Sequence, residues 1–445
     1  ESWGDFWKAM RSTRAKLSEK MVRGGKASAP PPPTPWEKKE PFDLWTHHNR
    51  LTPRLLNFLQ DEAKPLNESG PKISIVVPTY NTPIRFLDEL IACVKAQVYT
   101  NWELCFADDA SPQKNVAKTL QAAANSDPRI KFTVRETNGH ISAATNSALE
   151  LATGEYISFL DHDDLLPADA LLHVVEAIQD QPSVDFLYTD EDKIDSSGRH
   201  YDPQFKGDWN PEMAITHHYP HHLRTIRRKI VEEVDGLRVG YEGAQDIDLI
   251  LRCVEKIDHA NILHVPFVCY HWRAHEESTA QRGDQRGYLF GAARQAIEDA
   301  VTRRELRAEV VLPELMQDHA LCLHQLKWDP ALLAENPVTI IIPSRNQAAL
   351  LRECLDSLDR TVNWEHAKLI VVDDGSDEAE ALELLQGIEQ KSDRPWRVLR
   401  PERDPVGFNY SRLVNLGTAA ADTPLVLHLN NDIEAEHKGW LEDMV

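Results

Sequence analysis

The chain repeats part of itself after a long interval, and this repeat limits the folds that are open to it. The segment Ile73–Pro78 (Ile-Ser-Ile-Val-Val-Pro) returns 265 residues later as Val338–Pro343 (Val-Thr-Ile-Ile-Ile-Pro), and the pair Asp108–Asp109 returns at the same interval. The segment Leu160–Asp163 returns 269 residues later. A repeat of such long period indicates a duplicated domain rather than a solenoid. The sequence ends soon after this third landmark, so we expect the second copy to be only the first half of a domain.

Within the first copy, apolar runs alternate with amphipathic stretches. The runs predicted to be strands are Ile73–Val77, Leu104–Ala107, Lys131–Val134 and Tyr156–Leu160. The stretches predicted to be helices are Phe86–Ala96, Val116–Ala124 and Ser142–Ala152. Strands that alternate with helices predict an α/β fold with a mostly parallel sheet and flanking helices. Polar residues follow directly after these strands, at the edge where ligands bind in such sheets.

Five segments are predicted along the chain. They are a basic amphipathic helix at 1–26, a Pro-rich linker with a short helical segment at 27–70, a complete domain at 71–325, a linker at 326–336 and the first half of a second domain at 337–445. Residues 1–26 carry Trp3, Phe6, Trp7 and Met10 at helical spacing among seven basic residues. This pattern predicts either a helix on an anionic membrane surface or a helix that docks on protein.

Composition excludes several classes of protein. The chain has 49 basic and 71 acidic residues, a net charge of −22, which disfavours a general nucleic-acid-binding protein. No apolar run approaches the roughly 18 residues that span a bilayer. The six cysteines are scattered without a Cys-x-x-Cys pair, as in proteins of a reducing compartment. We therefore expect a cytoplasmic protein that binds no nucleic acid.

Carboxylates accumulate where the predicted strands end. Asp108 and Asp109 follow the second strand, and Asp161, Asp163 and Asp164 follow the fourth. Converging carboxylates repel one another unless a cation or a hydrogen-bond donor joins them, and Mg²⁺ or Mn²⁺ prefers such oxygen ligands. The alternative is that Asp163, Asp164 or the later Asp169 caps the helix predicted near 168–178.

The order of the motifs resembles family 2 of the glycosyltransferases with the GT-A fold, of the bacterial O-antigen and surface-polysaccharide (rhamnosyltransferase-like) type. The resemblance is carried by Pro78-Thr79-Tyr80-Asn81, by Asp108-Asp109-Ala110-Ser111, by Asn138-Gly139 with Thr145-Asn146, and by Asp161-His162-Asp163-Asp164. Further on, Gly243–Leu249 resembles the segment that bears the catalytic base, and Tyr270–His275 resembles the segment that closes over the diphosphate. The resemblance covers 71–325 completely and 337–445 for the nucleotide half only.

The resemblance implies a role for each matching residue. Asp246 would deprotonate the acceptor hydroxyl, which attacks the anomeric carbon opposite the leaving nucleoside diphosphate and inverts it. The residues implied in nucleotide and donor binding are Pro78, Thr79, Tyr80, Asn81, Asp108, Asp109, Asn138, Gly139, Asn146, Asp161 and Arg273. Those implied in holding Mg²⁺ or Mn²⁺ are Asp161, Asp163, Asp164 and His275. Those on the acceptor side are Asp190, Glu191, Asp192, Gln245 and Trp272.

Two residues depart from the family pattern. Gln245 stands where many members have Glu before the base, so the pKa of Asp246 loses one neighbouring charge that would raise it. Thr145 stands where members often have Arg, so one phosphate-binding cation is missing, and Arg135 or Arg273 is a candidate replacement. Asp246 itself has an alternative role as the cap of a helix at 247–255.

Four histidines at positions 217, 218, 221 and 222 have the spacing of a metal site. Pro220 breaks the helix that would align them. Acceptor contacts or ordinary packing are therefore favoured over a zinc site.

In the second copy the predicted nucleotide-binding residues are Ser344, Arg345, Asn346, Asp373, Asp374 and Asp432. Its counterpart of the Asp161–Asp163 motif is Asn430-Asn431-Asp432, where only Asp432 can ionise, so its metal affinity should be lower. No counterpart of the base segment or of the closing segment follows, so this copy as given is not expected to complete a transfer.

The function implied is an inverting, metal-dependent transfer of a sugar from a UDP- or dTDP-linked donor to a growing bacterial surface polysaccharide. The acceptor would be a glycan or a lipid-linked glycan, with peripheral contact to the inner face of the plasma membrane through residues 1–26 as one option. The alternative is a degenerate nucleotide-sugar-binding scaffold module. A nucleotidyltransferase and a dinucleotide-dependent dehydrogenase are excluded, because both need glycines after the first strand and Val77–Asn81 has none.

Overall fold

A computed structural model describes residues 41–274, 286–318, 322–390, 393–404 and 407–445. The predicted helix at 1–26 and the site residue His275 lie outside the described residues, and so does most of the Pro-rich segment. The chain forms two compact units, residues 1–51 and 52–445. The described part of the first unit contains α1 (Pro41–Asn49), in which the rings of Phe42 and Trp45 stack at 5.3 Å.

The second unit begins with two short helices and continues into an eight-stranded sheet. Its strands are β1 (Ile73–Thr79), β2 (Trp102–Asp108), β3 (Ile130–Val134), β4 (Tyr156–Phe159), β5 (Phe186–Ile194), β6 (His200–Gln204), β7 (Thr225–Arg227) and β8 (Ile262–Arg273). The order across the sheet is β3-β2-β1-β4-β7-β5-β6, and β8 pairs with β5 in parallel. The first four strands are parallel to one another, whereas β7 is antiparallel to both of its neighbours.

Helices connect and cover these strands. In chain order they are α2 (Pro53–Glu62), α3 (Lys64–Ser69), α4 (Ile84–Lys95), α5 (Lys114–Ser126), α6 (His140–Leu149), α7 (Ala170–Asp180), α8 (Pro211–Thr216), α9 (Arg228–Glu233), α10 (Gln245–Val254) and α11 (Arg286–Arg303). The apolar run of β1 is buried on both faces, because Ile73, Ile75 and Val77 join one core cluster while Val76 joins another. Burial on both faces is what a continuous apolar run in a parallel strand requires.

A second parallel sheet repeats the first four strands. It contains β11 (Val338–Ser344), β12 (Ala367–Asp373), β13 (Trp396–Leu399) and β14 (Leu425–His428) in the order β13-β12-β11-β14. Its helices are α14 (Ala348–Thr361), α15 (Ala379–Gln390) and α16 (Tyr410–Ala420). Between the two sheets lie a hairpin of β9 (Ala308–Val311) and β10 (Gln325–Trp328) and two short helices, α12 (Glu314–Asp318) and α13 (Ala331–Glu335). The α/β class with a largely parallel sheet, expected from the sequence, is confirmed, and the domain boundaries stay a prediction.

In the described part of the chain, no helix is both long enough and apolar enough to cross a membrane. All six cysteines are free thiols.

A buried glutamate, Glu103, links the N-terminal ends of the first three strands. Glu103 is 1% exposed, and its Oε2 lies 2.8 Å from the Lys131 ammonium and 2.5 Å from that of Lys72. Its Oε1 accepts hydrogen bonds from the Ser74 hydroxyl at 2.6 Å and from the Gly154 N–H at 3.1 Å. Although burial raises the pKa of the Glu103 carboxyl, the two lysines and the hydrogen-bond donors outweigh it and lower the pKa below the usual value.

This pKa predicts a pH-dependent contribution to stability. A depressed pKa stabilises the fold above the unfolded value of about 4.3, and the contribution is lost as the pH falls from there toward the folded value. Glu103→Gln should therefore lower the free energy of unfolding at pH 7 by about 2 kcal/mol, because two lysines lose a buried partner. Melting temperatures from pH 7 to pH 3 should show the deficit shrink in acid. Glu232→Gln, an exposed member of an ion pair with Arg228, is the control, and a deficit that does not depend on pH would contradict the assignment.

Candidate active site

The predicted nucleotide pocket lies where β1 and β2 end side by side. Thr79 and Asp108 are register partners and are buried. The Ser111 hydroxyl donates to Asp108 Oδ1 at 2.5 Å and accepts the Asn81 N–H at 2.8 Å. Asn81 has a φ of 50°, in the left-handed region that asparagine tolerates better than most residues. Tyr80, between Thr79 and Asn81, is 47% exposed at this edge.

Asp109 joins this pocket to the start of α6. Its carboxylate accepts the Gly139 N–H at 2.9 Å and lies 2.9 Å from the Arg135 guanidinium. The Asn138 side-chain amide donates to the Asp109 carbonyl at 3.3 Å. Glycine is required at 139 by close packing, because a Cβ there would lie 2.8 Å from Arg135 Nη2 and 2.9 Å from the Ala143 Cβ. The structure thus brings together most of the residues that were predicted for nucleotide binding.

Two predicted donor-binding residues have other partners. The Asn146 side-chain amide donates to the Leu237 carbonyl at 2.8 Å and accepts the Leu237 N–H at 2.9 Å, so it fixes a backbone segment. Arg273 is 5% exposed, and its guanidinium binds Glu89 at 2.6 Å and the Asp163 carbonyl at 2.7 Å. Arg135 and Arg273, the two candidate replacements for the cation missing at Thr145, are therefore both paired with carboxylates.

The three carboxylates that follow β4 differ in their surroundings. Burial, together with the nearby charge of Asp163, raises the pKa of the Asp161 carboxyl. Asp164 is 1% exposed, and its two oxygens accept the Tyr270 hydroxyl at 2.5 Å and the Arg273 N–H at 2.7 Å. Burial and the neighbouring aspartates raise the pKa of Asp164 well above its usual value. The oxygens of Asp164 are therefore bonded within the protein, and Asp161 and Asp163, whose Oδ1 lies 3.2 Å from His162 Nδ1, are the better candidates of this motif for a cation.

Asp169 and Asp246 do not cap α7 and α10 through their side chains. Asp169 occupies the position before α7 without a side-chain cap, and its carboxylate lies 3.3 Å from His173 Nε2 instead. Asp246 is the second residue of α10, and Ala244 precedes that helix.

Asp246 is held by histidines that the sequence did not connect to it. Its Oδ2 lies 2.7 Å from His221 Nε2 and 3.4 Å from His218 Nε2. Burial alone would raise the pKa of the Asp246 carboxyl, but the two imidazoles hold it well below the usual range. Burial in turn lowers the pKa of both histidines below 6.5, so they are neutral near pH 7. The two imidazoles thus favour the ionised form of Asp246, and the hydrogen bond from His221 fixes its orientation.

A chain of contacts connects Asp246 to the carboxylates after β4. The His221 ring lies 3.7 Å from that of His222, which stacks on Tyr270 at 4.0 Å. The Tyr270 hydroxyl accepts the Asp161 N–H at 3.3 Å, besides its bond to Asp164. The predicted base and the predicted metal ligands, about 85 residues apart in the sequence, therefore belong to one site.

The predicted acceptor-side carboxylates of β5 are buried and paired. Asp190 accepts from His264 Nε2 at 2.8 Å. Glu191 lies 3.0 Å from His222 Nδ1 and 3.1 Å from the Lys206 ammonium. Asp192 lies between His200 at 2.9 Å and His271 at 2.5 Å. Of the other two residues predicted for the acceptor side, Trp272 lies 6.1 Å from the His222 ring, and the Gln245 side chain accepts the Gly243 N–H at 2.6 Å.

Three clusters in the described part of the chain bring their possible metal-ligand atoms within 4.8 Å of one another. They are Glu191 with His221 and His222, Asp192 with His200 and His271, and Asp246 with His218 and His221. Each contains a direct hydrogen bond between imidazole and carboxylate, whereas the buried His218 Nε2 has no hydrogen-bond partner among the described residues.

The second copy reproduces the hydrogen bonds between asparagine, serine and the first aspartate of the first pocket. The Asn346 N–H donates to the Ser376 hydroxyl at 2.8 Å, that hydroxyl donates to Asp373 Oδ1 at 2.5 Å, and Asn346 has a φ of 54°. The Asp374 N–H donates to the Ser344 carbonyl at 2.9 Å, and Asp374 is fully buried. Among the described residues its carboxylate oxygens have no hydrogen-bond partner, unlike those of its counterpart Asp109. Arg345, which follows Ser344, is partly exposed, and Asp432 is exposed.

Comparison with known proteins gives a match to one family. The sequence model described as "Glycosyl transferase family 2" matches residues 74–235 and again 339–445. The chain is 41% identical over 378 residues to the uncharacterized protein y4gI of Sinorhizobium fredii, covering 85% of this chain and 40% of that protein. It is 33% identical over 375 residues to the O-antigen biosynthesis protein RfbC of Myxococcus xanthus, covering 84% of this chain and 28% of RfbC. It is 26% identical over 211 residues to chondroitin synthase of Escherichia coli, covering 47% of this chain and 30% of the synthase. The chain thus spans less than half the length of each of these relatives.

Proposed function

The chain belongs to glycosyl transferase family 2, and we propose that its residues 71–325 transfer a sugar, with inversion, from a nucleoside-diphosphate donor to a glycan acceptor. Family membership agrees with the resemblance and the enzyme class drawn from the sequence motifs. The observation that carries the proposal is the contact chain from Asp246 through His221, His222 and Tyr270 to Asp161. This chain of contacts supports the proposal, because it runs from the predicted base to a residue predicted to face the donor phosphates.

The proposed step needs one base and one leaving group. Asp246 takes the proton of the acceptor hydroxyl, and the acceptor oxygen forms a bond to the anomeric carbon of the donor sugar. The bond between that carbon and the diphosphate oxygen breaks, and its electron pair leaves with the nucleoside diphosphate. His218 and His221 keep Asp246 ionised and oriented, which a general base requires before it meets its substrate.

We assign the cation that the family pattern implies to Asp161 and Asp163. When bound, Mg²⁺ or Mn²⁺ would neutralise charge that develops on the leaving diphosphate. The raised pKa of Asp161 supports this assignment, because a carboxyl that is costly to ionise beside another one gains from a cation. His275 remains a predicted further ligand.

The biological setting is proposed from the relatives. RfbC is named as an O-antigen biosynthesis protein and the Escherichia coli relative as a chondroitin synthase, and both names refer to long carbohydrate chains. We propose that this chain likewise extends a bacterial surface polysaccharide, with a glycan or lipid-linked glycan as its acceptor. Peripheral membrane contact through residues 1–26 and a nucleotide-binding role for the second copy are parts of the same proposal.

A nucleotide panel tests the proposal. We expect UDP or dTDP, but not GDP or CDP, to raise the melting temperature, because a ligand that binds only the folded state stabilises it by about 2.7 kcal/mol at a hundred times its Kd. The shift should be larger with Mn²⁺ than with a chelator. Thr79→Val should weaken it, whereas Thr302→Val, a surface helix position, should not. No shift with any of the four nucleotides would favour the scaffold alternative.

A further inference from the structure

Arg224 is a buried cation that has no hydrogen-bonded counter-ion in the part of the chain that the structure describes. The residue is 7% exposed, and its Nε and Nη1 atoms are shielded from solvent and have no hydrogen-bond partner within the described residues. Among the described residues its ion-pair contact is from Nη1 to Asp246 Oδ2, at 3.8 Å, which is longer than a hydrogen bond. A buried guanidinium with unused donors is costly, and a ligand that accepts from it recovers that cost.

Arg224 also lies where both halves of the site meet. It directly precedes β7, and its carbonyl accepts the Phe159 N–H at 3.3 Å, at the end of the strand that leads to Asp161. The guanidinium carbon lies 5.0 Å from the centre of the Phe159 ring. Its positive charge acts on Asp161 on one side and on Asp246 on the other. A group bound by Arg224 is therefore close to the predicted donor carboxylates and to the predicted base.

The other arginines of the site are already committed. Arg135 pairs with Asp109 and also donates to the Ser147 hydroxyl at 2.6 Å. Arg273 pairs with Glu89 and donates to a backbone carbonyl. Of these three, Arg224 is the arginine with two buried guanidinium nitrogens that have no hydrogen-bond partner among the described residues.

We propose that Arg224 binds an anionic group of the sugar donor through these donors. The inference rests on the proposed function and adds a residue that the motifs did not indicate. A planar guanidinium matches the paired oxygens of a phosphate or of a carboxylate. Both occur in donors of this class, as the leaving β-phosphate or as a carboxylate on the transferred sugar. The same contact on the leaving phosphate would stabilise the charge that the phosphate gains as the glycosidic bond breaks.

Calorimetric titration of nucleotides and nucleotide sugars into the whole chain, in the presence of Mn²⁺, tests the inference. The probes are UDP, dTDP, GDP and CDP with their monophosphates, together with UDP-glucose and UDP-glucuronate. The variants are Arg224→Gln and Arg224→Lys, and Arg307→Gln is the control, since Arg307 is half-exposed and pairs with Asp329 and Glu335. Melting curves check that each variant is folded. Arg224→Lys, which keeps the charge, serves as the test if the Gln variant unfolds.

If Arg224 binds the leaving β-phosphate, Arg224→Gln should weaken diphosphate binding by about 10- to 100-fold and leave monophosphate binding unchanged. The loss should be smaller in Arg224→Lys. If Arg224 binds a carboxylate on the transferred sugar, Arg224→Gln should still bind diphosphates. It should lose the wild-type preference for UDP-glucuronate over UDP-glucose. Unchanged affinity for every probe in folded variants overturns the inference and leaves the proposed function intact. A wild-type chain that binds none of the probes instead removes the proposed function on which the inference rests.

Discussion

Replacement of Asp246 by asparagine is expected to lower the turnover number by about 10²- to 10⁴-fold, the contribution typical of a positioned general base. Asparagine keeps the shape of the side chain and an oxygen that can accept from His221, so the fold and the donor site should persist. What is lost is the ionised oxygen that takes the acceptor proton. The measurement is release of the nucleoside diphosphate from its sugar conjugate in the presence of acceptor, together with the donor Kd.

The donor Kd separates catalysis from binding. We expect it to stay within about twofold of wild type, since the interaction removed belongs to the transition state. Asp329→Asn, at an exposed aspartate paired with Arg307, controls for the loss of a carboxylate elsewhere. If Asp246→Asn turned over at the wild-type rate, the base would have to be another residue.

The location of the site was predictable because it depends on strand ends. Asp108 and Asp161 each follow an apolar run, and parallel strands bring their carboxyl ends to one edge whatever the intervening helices do. The two copies agree even in single hydrogen bonds. Asn81 and Asn346 both have a left-handed backbone, and their N–H groups donate to the hydroxyls of Ser111 and Ser376 respectively. Local sequence decides these features.

The surroundings of the base were not predictable in the same way. His218 and His221 meet Asp246 because the loop between α8 and β7 folds over the start of α10, a contact across 25 residues of sequence. Residues 217–224, around Pro220, do not form a helix, yet nothing local indicates that a carboxylate is the partner of His218 and His221. Asn146 fits a donor-binding motif but is engaged by the backbone of Leu237, and the unused donors of Arg224 become visible only once its neighbours are known.

The histidines also explain how one site holds so many carboxylates. Asp246, Glu191 and Asp192 are each buried beside an imidazole that hydrogen-bonds the carboxylate, and Glu191 also pairs with the Lys206 ammonium. By contrast, the pKa of Asp161 is raised rather than lowered, and Asp163 Oδ1 lies 3.2 Å from His162 Nδ1. The site therefore divides its acids into a group stabilised by the protein and a pair that would gain most from a cation.

Replacement of Asp163 by asparagine is accordingly expected to lower turnover by about 10²- to 10³-fold and to abolish the effect of Mn²⁺ on nucleotide binding, since a bound cation supplies several kcal/mol of charge stabilisation. The duplication offers a matched control. Asp432 is the counterpart of Asp163 in the second copy, where Asn430 already replaces the counterpart of Asp161. Asp432→Asn should therefore change turnover little, because a single carboxylate there binds a cation weakly in any case.

Two measurements, each made with Mn²⁺ and with a chelator, test where the cation acts. They are the turnover number and the rise in melting temperature on addition of nucleotide. Loss in Asp163→Asn alone places the cation and the chemistry in the first copy. Equal losses in both variants would mean that the two copies act together. Full turnover of the wild-type chain in chelator would remove the cation from the mechanism, and the charge on the leaving diphosphate would then have to be met by protein cations, of which Arg224 is the first to test.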